Sequence, residues 1–162
     1  MTTTTDLKSF VDRIPKVELH AHLNGCVRES TLLELAKERG IQLSEHHFSD
    51  DYNDTVSHMY NSKPRSLLDC FDIFVQVGQV VGDLEALQLI TREALQDFAS
   101  HHVVYLELRS TPKRLRRTWK SDEITTKGDY VNAILSVVQD FERQEQERYE
   151  RERDGGGLAH CR

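Results

Sequence analysis

The stretch Pro15-Lys16-Val17-Glu18-Leu19-His20-Ala21-His22-Leu23-Asn24-Gly25 decides how the chain is read. Val17, Leu19, Ala21 and Leu23 alternate with Glu18, His20 and His22. A period of two belongs to a β-strand, so the apolar set takes one face and the histidines take the other. Pro15 breaks what precedes it, and Asn24-Gly25 ends the strand in a turn. Two histidines separated by one strand residue point the same way, about 6.5–7 Å apart along the chain. That spacing lets both imidazoles reach one divalent metal. It is also the spacing of two ordinary histidines on a polar face. Glu18 shares their face and, inside a sheet, needs a polar partner.

Working outward, residues 1–14 read as a short lead-in helix or arm. Thr31 and Glu34 form a capping-box pattern and Gly40 a stop, which predicts a helix over 30–39. Residues 41–64 are polar and aperiodic, a loop. Ser66 with Asp69 opens a second helix bearing Leu67, Phe71, Phe74 and Val75, with the Phe71/Phe74 pair expected in the core. Asp83 opens a third, with Leu87, Ile90, Ala94 and Phe98 at helical spacing. Val103 to Leu108 is β-rich and bounded by Ser110-Thr111-Pro112, a second strand. A further helix starts near Asp129, with Tyr130, Ile134, Val137, Val138 and Phe141 on one side. From Asp140 to Asp154 eleven of fifteen residues are charged, so this part is a solvated helix or a disordered tail. The expected division is 1–139 as one unit and 140–162 as a divergent charged helix with a Gly-rich tail.

Strand–helix–strand order implies parallel pairing, and parallel strands are normally buried on both faces. Two strands cannot build such a sheet, so the chain reads as the first part of a larger α/β domain. The histidine pair sits at the C-terminal end of its strand, where parallel barrels build their active sites.

Composition narrows the function classes. The chain has 162 residues and a net charge of −6. It has no run of about 18 apolar residues, so no membrane span is expected. A net-acidic chain is a poor general nucleic-acid binder. The N-terminus lacks the pattern of a signal peptide, and Cys26, Cys70 and Cys161 make no disulfide framework. A cytoplasmic protein with reduced thiols is expected. Lys113, Arg114, Arg116, Arg117 and Lys120 crowd eight positions, which makes either a solvated loop or a local anion site.

The opening stretch resembles the first strand of the adenosine/AMP deaminase family of zinc amidohydrolases. Asn24, where classical adenosine deaminases carry Asp, is similar to the adenosine-deaminase-like branch that acts on N(6)-methyl-AMP. Tyr105-Leu106-Glu107-Leu108-Arg109-Ser110-Thr111-Pro112-Lys113 resembles that branch's second strand and loop, and Cys70-Phe71 with Phe74 its intervening helices. The resemblance covers roughly residues 9–139. It implies a (β/α)8 TIM barrel, of which this chain carries about two of eight strands. It also implies one Zn2+ per complete active site, activating a water that attacks the purine carbon bearing the amino group. His20 and His22 match the first two zinc ligands. His22 and Asn24 would face the nucleotide. Ser110, Thr111, Pro112 and Lys113 match a substrate-contacting loop, whose hydroxyls, amides and ammonium suit a phosphate.

The family's third His ligand, catalytic Glu, further active-site His and late Asp lie on later strands that have no match here, so no catalytic residue is expected within this chain. Gly78 stands where the branch carries a substrate-facing His. The expectation is a purine nucleotide deaminase, monomeric when complete and here truncated and inactive alone. Its partner is a small-molecule purine nucleotide or nucleoside, not nucleic acid or membrane. An adenosine deaminase acting on the nucleoside, and a non-catalytic binding or regulatory module, stand as alternatives.

Overall fold

A computed structural model describes residues 4–44 and 67–155. The element order is α1 (Thr4–Arg13), β1 (Lys16–His22), a 3-10 turn (Leu23–Gly25), α2 (Glu29–Arg39), α3 (Leu67–Val80), α4 (Leu84–Ser100), β2 (Val103–Arg109) and α5 (Lys127–Gly155). The expected loop over 41–64, its His46, His47 and His58, and the Ser66 cap fall wholly or largely outside the described residues.

β1 and β2 pair in parallel, from Lys16 opposite Val103 to His22 opposite Arg109. The two C-terminal strand ends therefore lie side by side. His101 and His102 precede β2 at the other end, where the Lys16 amide donates to the His102 carbonyl at 2.8 Å. Lys16 Nζ donates there to the carbonyls of Ile14 and His101, at 3.1 and 3.0 Å. That staple ties the start of β1 to the turn before β2.

The core lies between the helices and the turn after β1. Leu23, Leu32, Val80, Leu87 and Ile90 are almost fully buried, and Leu35, Ala36, Ala94 and Tyr130 join them. The apolar stripe on α4 makes this possible, since Leu87, Ile90 and Ala94 recur every three or four residues on one face. α5 lays Tyr130, Ala133 and Val137 against α4. Two helix ends have a clear local cause. Asp83 Oδ1 accepts the Ala86 amide at 2.9 Å and caps α4. Gly40, at φ 64°, ends α2: its amide reaches the Lys37 carbonyl, and the Ile41 amide reaches that of Ala36.

Two expectations need correction. Thr31 and Glu34 do not form a capping box: α2 begins at Glu29 after Arg28, and no side chain caps it. Thr31 Oγ is instead 2.8 Å from both Glu93 carboxylate oxygens, because Thr31 is buried facing α4. Phe71 and Phe74 are not core residues; they are 57% and 43% exposed. They lie on a largely exposed face of α3, where the Phe74 ring reaches only the turn after β1. Val17, Leu19, Val104 and Tyr105 are likewise exposed, since two strands leave sheet surface uncovered.

Candidate active site

The strand period predicts that His20 and His22 share a face, and their rings do meet. The Nε2 atoms are 3.1 Å apart, and the ring centroids 4.9 Å apart at 47°. Both side chains are exposed. Two tetrahedral zinc ligands at about 2.0–2.1 Å from the metal stand about 3.3 Å from each other, so the pair fits two positions of such a site. Among the described residues no group of three or more His, Cys, Asp or Glu could hold a metal. The pair has the spacing of two ligands, with no third one grouped with it among the described residues.

The turn after β1 is held from below. Leu23 is buried in the core, and the Cys26 amide donates to its carbonyl at 3.0 Å. That leaves Asn24 half-buried beside the pair. The Phe74 ring packs on the same turn, 3.6 Å from where a Cβ on Gly25 would lie. Cys26 donates its thiol to the His22 carbonyl at 3.2 Å. Burial first, then the negative charges of Glu18 and Asp97, push that thiol up. It is a structural thiol with little thiolate character.

Because His22 is paired with Arg109, the loop that leaves β2 starts beside the histidines. Ser110 is fixed by a 2.5 Å hydrogen bond between its Oγ and the Tyr130 hydroxyl. Thr111 and Lys113 are exposed and Pro112 half-buried. Beyond them the loop is anchored again. The Arg116 amide donates to Gly82, the Leu84 amide to Arg116, and the Thr125 amide to Leu115 at 2.8 Å. Trp119 anchors this segment: it packs near Gly82, and the Arg39 guanidinium lies 4.7 Å from its ring. The basic run is only partly a free charge cluster. Arg117 is held by Glu123 at 2.7 and 2.6 Å, and Arg116 stacks 5.2 Å from Trp119. Gly78 faces open space, with nothing within 4 Å of a built Cβ.

The fold thus brings His20, His22 and Asn24 to one strand end and Ser110 to Lys113 to its neighbour. Tyr130 escaped sequence reading as a loop anchor, because helical spacing marks it only as core. Its partner lies twenty residues away.

The sequence profile of the adenosine deaminase family matches residues 15–146. An Arabidopsis thaliana protein named N6-mAMP deaminase is 42% identical over 130 residues, which is 78% of this chain and 32% of that protein. A crystal structure of Arabidopsis ADAL complexed with IMP superposes with a TM-score of 0.59 at 39% identity, covering 81% of this chain and 35% of that one. A zinc-bound amidohydrolase from Burkholderia ambifaria shares the fold at 22% identity and a TM-score of 0.56, over 88% of this chain and 36% of that one. These neighbours are amidohydrolase TIM barrels, and the mixed helix–strand chain with its parallel strand pair makes up part of such a barrel. It spans about a third of the length of the relatives it matches.

Proposed function

This chain belongs to the adenosine deaminase family, and we propose that it forms part of the active site of a zinc-dependent hydrolytic deaminase. The substrate class is 6-amino- and 6-methylamino-purine nucleotides, with N(6)-methyl-AMP converted to IMP and methylamine. The observation that carries this reading is the 3.1 Å approach of the two Nε2 atoms, one strand over from the Ser110 loop. The names of the Arabidopsis relative and of the IMP complex support the nucleotide class.

His20 and His22 would hold one Zn2+ through Nε2. When bound, the metal supplies Lewis-acid activation of water. The other residues bind and orient. His22 and Asn24 border the purine. Ser110 and Thr111 donate hydroxyl hydrogen bonds to phosphate oxygens, and the Lys113 ammonium neutralises their charge. Pro112 restricts the backbone between them. The acid that protonates the ring nitrogen is not among this chain's residues, of which 1–139 form the barrel unit and 140–162 a divergent charged helix and Gly-rich tail. The complete protein acts as a cytoplasmic monomer.

A chimera tests this. Residues 15–139 replace the corresponding segment of the Arabidopsis N6-mAMP deaminase. The chimera is expected to deaminate N(6)-methyl-AMP in preference to the nucleoside, and His20→Ala or His22→Ala to abolish turnover. Lys113→Ala is expected to raise KM for the monophosphate, and an unchanged KM removes the phosphate role. Preference for adenosine would make this a nucleoside site. The 162-residue chain alone, given Zn2+ and N(6)-methyl-AMP, is expected to release no methylamine; release would show that it is catalytically sufficient.

A further inference from the structure

The β1–β2 ladder does not run evenly. Glu18 lies opposite Leu106 and Ala21 opposite Leu108, so three steps along β1 match two along β2. The register skips Leu19 and His20. An opposite shift between Lys16 and Val17, one step against two, restores the register over the whole ladder, so the mismatch at Leu19–His20 is a local bulge-like irregularity of the kind that re-aims the side chains next to it. Here the bulge falls at the first histidine of the pair.

Two side chains reach the skipped backbone. The His20 amide donates to Glu18 Oε1 at 2.8 Å. Arg109 Nη2 points at the Leu19 carbonyl from β2, at the long distance of 3.5 Å, and sits 3.5 Å from Glu107 Oε2. The Glu18 contact is the shorter and is charge-assisted, so it dominates. It spans two residues of one strand and closes a small ring around the Leu19 backbone.

We propose that Glu18 is a positioning residue for the His20–His22 pair. Its carboxylate holds the bulge and thereby keeps the two Nε2 atoms at metal-sharing distance. The proposal rests on the reading of that pair as metal ligands. Glu18 touches neither imidazole nitrogen; it acts through the His20 amide. Outer partners that fix the orientation of a ligand commonly change metal affinity by about 10–100-fold when removed.

The test uses the full chain, labelled with 15N, and follows the imidazole nitrogens by long-range proton–nitrogen spectra during titration with Zn2+. The remaining six histidines serve as internal controls. His20 and His22 are expected to shift together at lower Zn2+ than the others. Glu18→Ala is expected to weaken that joint response by about tenfold or more. Glu18→Gln keeps an acceptor oxygen and is expected to restore it. If Glu18→Ala loses its far-UV signal, Glu18→Gln against Glu18→Met decides, since both keep the side-chain length. Equal Zn2+ responses in all variants would leave the metal pair standing and overturn the role of Glu18. A Glu18→Gln variant as weak as Glu18→Ala would overturn the hydrogen-bond account. No joint shift in the unmodified chain would overturn the metal reading, and the positioning role with it.

Discussion

Arg39 and Asp83 form the most buried of the ion pairs seen among the described residues. Their side chains are 4% and 0% exposed, and Nη2 lies 2.7 Å from Oδ2. Arg39 also donates to the Val80 carbonyl and lies against Trp119. One guanidinium thus ties the end of α2, the start of α4 and the loop after β2. Removing one partner leaves a buried charge uncompensated, which costs about 3–5 kcal/mol. Arg39→Met is therefore expected to lower the urea midpoint sharply, measured by far-UV circular dichroism. His102 offers the opposite case. Its φ of 61° is left-handed, a region that costs an L-residue about 1–2 kcal/mol. His102→Gly is expected to hold or raise the thermal midpoint by a few degrees, since its carbonyl bond to Lys16 survives. The amino acids are legible at both positions, but the burial of one pair and the dihedral of the other are not.

Among the elements, α5 has the clearest start. The Thr126 amide and hydroxyl both donate to Asp129 Oδ2 at 2.8 Å, and the Asp129 amide donates back to Thr126 Oγ at 3.1 Å. This is a reciprocal cap. The Thr126 amide first, and its hydroxyl second, hold the Asp129 carboxyl below its usual range. A carboxyl lowered on folding contributes stability above its unfolded value of about 3.9, and that contribution goes as pH falls through the folded value. Between about pH 5 and pH 2 the helical signal is expected to fall more in the wild type than in Asp129→Asn. From Asp140 on, α5 keeps its helix without an apolar stripe. Arg143–Asp140 and Gln146–Glu150, at 2.7 Å each, lie one turn apart along the exposed helix. Such pairs contribute only a few tenths of a kcal/mol each and are screened by salt. The start of this helix near Asp129 is readable from local spacing. The absence of a cap on α2 is not, because Thr31 turns to Glu93 sixty-two residues away.

For the whole molecule, the uncovered surface matters most. Val104 is 70% exposed, Val17 62% and Phe71 57%. Exposed apolar surface of this kind marks contact sites. The chain is expected to bind ANS in its native state, and Val17→Lys with Val104→Lys to reduce the fluorescence without changing the far-UV spectrum. Unchanged fluorescence would place the dye elsewhere. In a closed barrel, neighbouring strands and helices bury faces of this kind.

The strands, the helix starts at Asp83 and near Asp129, the stop at Gly40 and the shared face of His20 and His22 were readable from the chain. Each depends on neighbours within one or two turns, where spacing and backbone preference act directly. Parallel pairing also followed, from the order of the elements. The bulge at Leu19–His20, the Ser110–Tyr130 bond, the Arg39–Asp83–Trp119 clasp and the exposure of Phe71 and Phe74 were not. Those depend on which distant surfaces meet, and that choice is made by the summed packing of the fold rather than by any local pattern.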